Sequence, residues 1–528
     1  MGLDTSESQP TFQHTWRIRC IFAVLCIFSF LGALDSTIIT TSLLTIIRQI
    51  GGEEQLYVWV AHSFLFASTA PQPIFGQIAD IFGRRYPFLV CITCFALGSG
   101  ISGGAGSAAM LIAGRTVQGL GTAGLFVLSD IIICDIVPPR YRGPYLSAVL
   151  STAGIGSTIG PSIGGALAES SWRWIFYMNL PICGVGFLGT LLLMNIEEHR
   201  PRHITLRQVD FFGMSLFVVS MIALFYGLIT GGIQHPWSSW RVILPLVLGT
   251  CGWIAFHVFE ASRFCGIPSA PPRLFLTRTS VAGFLMVFFS SVVFQAIAYF
   301  LPLYFQAVRL ASPLDSGVYF LPFALSFIVF AGFAGWCLSK WGYYVPLHYA
   351  GFGLLAIGMG LFSTLTQSSS TGYWVGLQLL PSAGIAFIFT ATLPSTLAAL
   401  PEKDVAVATA MYSFIRAFGL VWGVTLSGVV FNGQFDANIG LISADNIRTL
   451  LKGGAAYSFG ATSDPNAGIR ALDGAIQGQV QEVYVKALRV VWLVIMSMAL
   501  LGFVCVPIER QLELRTESEP TTSSDTAD

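Results

Sequence analysis

Apolar stretches of 18 or more residues, each broken off by Gly, Pro or charge, recur along the whole chain. A helix rises 1.5 Å per residue, so about 20 such residues cross a hydrocarbon core about 30 Å thick. The pattern predicts fourteen spans, at 18–46, 57–79, 87–105, 109–134, 145–167, 173–194, 211–230, 241–260, 279–307, 314–338, 345–365, 372–398, 405–430 and 485–507. The expected fold class is an all-α membrane protein. An even number of spans puts both termini on one side. With the N-terminus in the cytosol, the short cytosolic segments hold sixteen Lys and Arg and the opposite short loops four, which places both ends there.

The spans are interrupted by a pattern that occurs twice. Residues 76–85, "GQIADIFGRR", have the skeleton G-x-x-x-D-x-x-G-R-R, and 335–344, "GWCLSKWGYY", keep Gly335, Ser339 and Gly342 in register while losing the charges. A duplicated six-helix unit gives that result. The expected division is a cytosolic segment 1–17, an N-terminal six-helix bundle 18–194, a linker 195–278 with two extra spans, a C-terminal six-helix bundle 279–507 containing a long extracytosolic loop 431–484, and a disordered cytosolic tail 508–528.

Composition sharpens the picture. The chain is 54% hydrophobic and 10% charged, against about 25% charged in soluble domains. Basic and acidic residues balance at 27 each, so no surplus points to nucleic acid. The ten cysteines fall almost entirely inside apolar spans, which predicts no disulfide framework and no metal site. No His cluster or Ser-His-Asp arrangement supports an enzyme. The lipid bilayer is the expected partner, and no cofactor is expected.

Charges inside apolar spans are costly and mark candidate chemistry. Asp35, in "LDSTIITTSL", and Arg115, in "GRTVQGLGTAG", lie at similar depth, about 10 Å below the outer surface, and are expected to share a cavity. Gln118 follows Arg115 on the same helix face. A cavity-facing carboxyl beside an arginine is a simple proton-binding device. Arg416, in the thirteenth span, is a candidate partner for an acid or an anionic substrate, and His62 is a titratable candidate. Gly76, Asp80, Gly83, Arg84 and Arg85 read as a latch whose charges pair while the cytosolic ends of the two halves stay together. In the fifth span, "STAGIGSTIGPSIGGAL", Gly156, Gly160 and Gly164 recur every fourth residue beside Pro161 and Gly165. They read as a smooth, kinkable hinge surface on which one half rocks over the other.

These segments resemble the major facilitator superfamily, and specifically its fungal fourteen-helix drug:proton antiporter branch. "GQIADIFGRR" is similar to its cytosolic loop motif, "LDSTIITTSL" to the first-helix motif, "RTVQGLGTAG" to the fourth-helix motif and "STIGPSIGG" to the fifth-helix antiporter motif. "WRWIFYMNLP" and "LPLYFQAVRLASPLDSGVYFLP" also look typical of fungal members. The resemblance implies two pseudosymmetric six-helix bundles, alternating access, and proton-driven export of toxins, drugs or secondary metabolites across the plasma membrane or, as the lesser expectation, a vacuolar membrane. It implies that Asp80, Arg84 and Arg85 form the latch, that Asp35 and Arg115 serve coupling, and that Gly160, Pro161, Gly164 and Gly165 form the antiport hinge. A siderophore or vacuolar amino-acid carrier is the alternative. His62 departs from the small polar residue expected at its position, and the second-half repeat lacks the acid and bases, so only the first latch is expected to be strong.

Overall fold

The computed structural model describes residues 15–50, 54–194, 210–232, 235–262, 265, 268–452, 454–460 and 468–514. Its described residues are helical or in turns, with no strand beyond a single bridge between Gly231 and His235. The first bundle comprises α1 (Trp16–Ile50), α2 (Glu54–Thr69), α3 (Ile74–Phe82), α4 (Arg85–Gly103), α5 (Ala108–Ile136), α6 (Arg142–Ser171), α7 (Trp174–Tyr177) and α8 (Asn179–Leu193). An antiparallel pair follows, α9 (Phe211–Thr230) and α10 (Trp240–Glu260). The second bundle holds α11 (Arg278–Leu303), α12 (Pro313–Trp341), α13 (Val345–Phe362), α14 (Thr371–Ala398) and α15 (Val405–Asn438); after the short α16 (Asp445–Leu451) and α17 (Ala455–Gly460), α18 (Gly474–Cys505) completes it.

Eleven stretches of described residues are long and apolar enough to cross a bilayer. Two of the other three predicted spans depart for local reasons. The stretch 57–79 is split into α2 and α3 by a turn at 70–73, where Pro71 and Pro73 supply no backbone donors. The span at 145–167 lies in α6, whose sequence is diluted by Gly and Ser. The third, at 211–230, is matched by α9 over the same residues, with a described apolar stretch at Phe212–Leu228.

Two boundaries are corrected. The loop expected at 431–484 is shorter, because α15 continues to Asn438 and α18 begins at Gly474. The tail expected to be disordered from 508 is packed as far as Leu514, which is 4% exposed.

The bundles join at the face where both chain ends emerge. There α3 meets α15 so closely that a β-carbon on Gly76 would stand 3.0 Å from Val407 and Ala410. The repeat position, Gly335 on α12, would likewise meet Pro144 of α6 at 2.7 Å. Both repeat turns use a glycine with positive φ, Gly83 at 74° and Gly342 at 71°. Arg140 donates to the carbonyls of Ser339 and Lys340, each at 2.6 Å, and the Ser147 and Thr390 hydroxyls are 2.5 Å apart. The inserted pair covers another seam. From α9, Tyr226 stacks on Trp59 of α2 at 5.6 Å, while Phe217 and Phe225 reach Phe414 and Phe418 of α15 at 5.0 and 5.8 Å.

Candidate functional site

The depth match between Asp35 and Arg115 becomes contact because α1 and α5 pack within one bundle. Arg115 Nη1 donates to Asp35 Oδ2 and, at 2.9 Å, to Gln118 Oε1; its Nη2 donates to the Asp35 carbonyl at 3.3 Å. Gln118 Nε2 returns a bond to Asp35 Oδ1 at 2.8 Å and another to Ser99 Oγ at 2.8 Å. Asn179, the first residue of α8, donates to the same two oxygens at 3.1 and 3.2 Å. The Arg115 guanidinium lies over the Phe64 ring, 4.1 Å from its centroid. Sequence reasoning finds Asp35, Arg115 and Gln118 but misses Ser99 and Asn179, since a hydroxyl or amide in apolar sequence carries far less cost than a charge.

This network corrects one expectation. Asp35 is 1% exposed and Arg115 0%, so the pair is enclosed between helices of the first bundle and does not line an open cavity in this conformation. The physical reason is the close packing of α4 on α5: a β-carbon on Gly98 would press on the Gln118 amide nitrogen, and one on Gly114 would stand 2.8 Å from the backbone of Ser102. Two buried charges are tolerated because each finds several partners; removing one from such a pair costs about 3–5 kcal/mol.

Arg416 has a partner in the opposite bundle. Its Nη2 donates to Asp130 Oδ2 on α5 at 3.0 Å, and Ser413 donates to the same oxygen at 2.9 Å. Asp130 is 3% exposed. It is the acid that the candidate set lacks, although its signal, a carboxylate inside "VLSDIIICDIV", is the same as that of Asp35.

The loop knot is arranged differently from expectation. Arg84 donates to Asp135 Oδ2 at 2.6 Å, to the Ala79 carbonyl at 2.7 Å and to Asp80 Oδ1 at 3.4 Å, while Arg85 reaches the Leu191 carbonyl at 2.5 Å. Those partners all belong to the first bundle. Burial alone would lower the Arg84 pKa, but Asp135 and then Asp80 outweigh it and hold the group above its ordinary value. The arginines therefore brace their own bundle, while Gly76 of the knot packs against the second bundle.

The glycine row is also re-placed. Gly156, Gly160 and Gly164 face α1 of their own bundle, where added β-carbons would press on the backbone at Phe30, Leu34 and Ile38. The hinge surface between halves is thus corrected to a close helix crossing within the first half; α6 meets the second bundle through its opening residues, Gly143, Pro144 and Ser147. Gly165 is half-buried, and the side chains of Pro161 and His62 lie outside the described residues. Gly160→Leu is expected to force α6 off α1, since even a β-carbon there stands 3.0 Å from the Leu34 carbonyl oxygen. Fluorescence-detected size exclusion should show loss of the monodisperse peak; an unchanged peak with unchanged transport would remove the crossing from the account.

Among the described residues, one group has metal-ligating atoms within mutual reach: Asp210, Glu260 and Cys265, within 4.8 Å of one another. Its acids are engaged in capping. Asp210 Oδ1 accepts Gly213 N–H at 2.8 Å, and Glu260 accepts Ser269 and Ala270 N–H at 3.0 and 3.3 Å. Burial, then Glu260 and Asp210, push the Cys265 thiol up to about 12, so it stays protonated and donates to Asp210 Oδ2 at 3.7 Å.

The geometry can be set beside known proteins. The profile of the Major Facilitator Superfamily matches residues 25–424. "MFS efflux transporter aclA" of Aspergillus oryzae is 45% identical over 520 residues, covering 97% of this chain and 93% of that protein. "MFS-type efflux pump LUC4" of Fusarium sp is 40% identical, covering 97% and 91%, and the "Acurin A biosynthesis cluster MFS-type transporter" of Aspergillus aculeatus is 39% identical, covering 98% and 93%. Among solved structures, the proton:xylose symporter XylE superposes with a TM-score of 0.56 at 15% identity, covering 92% of this chain and 94% of that one. The human organic anion transporter MFSD10 gives 0.55 at 16% identity, covering 92% and 99%. At such identities these two establish the fold alone.

Proposed function

The chain belongs to the major facilitator superfamily, a family of membrane transporters, and we propose that it exports amphipathic small molecules from the cell in exchange for protons. Asp35 is the proton-binding carboxylate, and Arg115, Gln118 and Asn179 hold it as an ion pair until a conformational change parts them. The observation that carries this reading is the enclosed Asp35–Arg115 pair, a costly arrangement that a merely structural crossing has no need of. The names of the relatives as efflux pumps support the direction of transport. Fungal secondary metabolites are the proposed substrate class, with the Acurin A cluster relative as one support.

On this reading the protein has fourteen spans, with both termini in the cytosol, and acts as a monomer in the plasma membrane. The conformation described is the one closed toward the cytosol, because Gly76, Arg140, Ser147 and the Asp130–Arg416 pair all join the bundles at or toward the terminal face. Alternating access then consists of opening these contacts. Each proton supplies about 2.3 kcal/mol per 100 mV and about 1.4 kcal/mol per pH unit, enough for a substrate gradient of several hundredfold.

The test uses rhodamine 6G, an amphipathic dye, in a sensitive yeast host. Expression should lower dye accumulation, and a protonophore should restore it to the level of cells without the protein. Accumulation that is lowered equally with the gradient collapsed would remove proton coupling, and accumulation raised by expression would reverse the direction.

A further inference from the structure

Beyond α18 the chain turns back under the second bundle. Glu509 Oε2 lies 2.7 Å from His348 Nδ1, and His348 Nε2 lies 3.2 Å from Thr392 Oγ1. The Arg510 N–H donates to Thr279 Oγ1 at 3.2 Å. Leu514 lies in a small apolar cluster with Ala334, Cys337, Leu338 and Tyr344.

The segment sits on the repeat turn whose charges are missing. In the first bundle the turn at Gly83 is held by Arg84, bonded to the Ala79 carbonyl and Asp135. In the second, Ser339, Tyr343 and Tyr344 stand in register with Asp80, Arg84 and Arg85. Here the returning chain bonds the turn instead, at other backbone atoms. Gln511 Nε2 donates to the Gly342 carbonyl at 3.0 Å, and its Oε1 accepts the N–H groups of Tyr344 and Val345, both at 3.2 Å. It thereby caps the start of α13, where such donors have no partner in their own helix. The Tyr344 hydroxyl donates to the Arg510 carbonyl at 2.5 Å and accepts from Leu512 N–H at 2.6 Å. Burial pushes that phenol up to about 12, so it remains a donor.

The same end of α12 meets the first bundle. Arg140 donates to the Ser339 and Lys340 carbonyls, and a β-carbon on Gly143 would touch Leu338 at 3.0 Å.

We propose that Glu509–Leu514 is a strap that positions the gating end of α12, and that Gln511 is a positioning residue supplying in the second bundle the turn contacts that charged residues supply in the first. The strap favours closure of the terminal face because Arg140 needs two fixed carbonyls to bond. This rests on the alternating-access reading, but its test needs no transported substrate.

The experiment uses the whole protein in lipid nanodiscs, with spin labels placed through an unnatural amino acid at Phe82 and Trp341. Both are exposed, at 45% and 53%, one in each bundle at the terminal face. Pulsed electron–electron resonance then reads the separation of the bundles, and a thermal melt is run in parallel. A chain ended after Leu514 should keep the short, closed distance. A chain ended after Ile508, and Gln511→Ala in the full chain, should raise the open population about tenfold, the effect of losing one or two net hydrogen bonds. Gln511→Glu, which still accepts from Tyr344 and Val345 but loses the donor to the Gly342 carbonyl, should give an open population between those of the parent and Gln511→Ala. If the shortened chain does not fold, Gln511→Ala and Gln511→Glu decide. A lower melting temperature with an unchanged distance distribution would make the strap a brace without influence on the gate, and would overturn the proposal.

Discussion

Asp35→Asn should abolish proton-driven export while the protein still inserts, with dye efflux falling at least about a hundredfold, as loss of an essential proton carrier requires. The same change leaves Arg115, 0% exposed, without its counter-charge. A folding penalty of about 3–5 kcal/mol is expected alongside the loss of transport. The two effects separate in a double variant. Asp35→Asn with Arg115→Gln removes both charges together, so stability should return toward that of the parent while export stays absent. Thermal melts and vesicle efflux, measured on the same preparations, check this. Export that recovers along with stability would assign Asp35 to structure alone.

The second large effect concerns the acid that bridges the bundles. Asp130 accepts from Arg416 at 3.0 Å and Ser413 at 2.9 Å, and charged hydrogen bonds of this kind are worth about 1.5–3 kcal/mol. Asp130→Ala should therefore shift the population from closed to open at the terminal face by about tenfold or more. Arg416→Ala should do the same, and the double variant should be little worse than either single, because both remove one interaction. The distance between labels at Phe82 and Trp341 again reports the outcome. Additive shifts would mean that the two residues act separately and that the pair is no latch.

Much of this was legible in the chain because membranes punish misplaced polarity. The spans follow from unbroken apolar runs, and Asp35, Arg115 and Gln118 follow from charge and helical spacing. What a single helix cannot disclose is which neighbour its face will meet. The row Gly156, Gly160 and Gly164 announces a close crossing, yet only packing reveals that α1, and not the second bundle, lies against it. Arg84 likewise announces a partner, but Asp135 is 51 positions away on a different helix. Asp130 carries a readable signal; its partner on α15 does not follow from it. The segments after α15 and α18 are hardest to read. "FNGQFDAN" continues a helix with only Phe431 and Phe435 to mark its buried face, and Gln511 gains its role from a turn 169 residues earlier. The weak charge of the second repeat suggests a weak turn, whereas the turn is held by bonds from a distant part of the chain.

Everything in the proposed cycle requires that Asp35, enclosed here by Arg115, Gln118 and Asn179, be released and protonated in another conformation. Dicyclohexylcarbodiimide reacts with protonated carboxyl groups in apolar surroundings, and mass spectrometry of the α1 peptide locates the adduct. In active protein reconstituted in vesicles, the account predicts modification at Asp35 that rises as pH falls and inactivates export in proportion. An Asp35 that stays unmodified at every pH, in protein that is exporting dye, would contradict it.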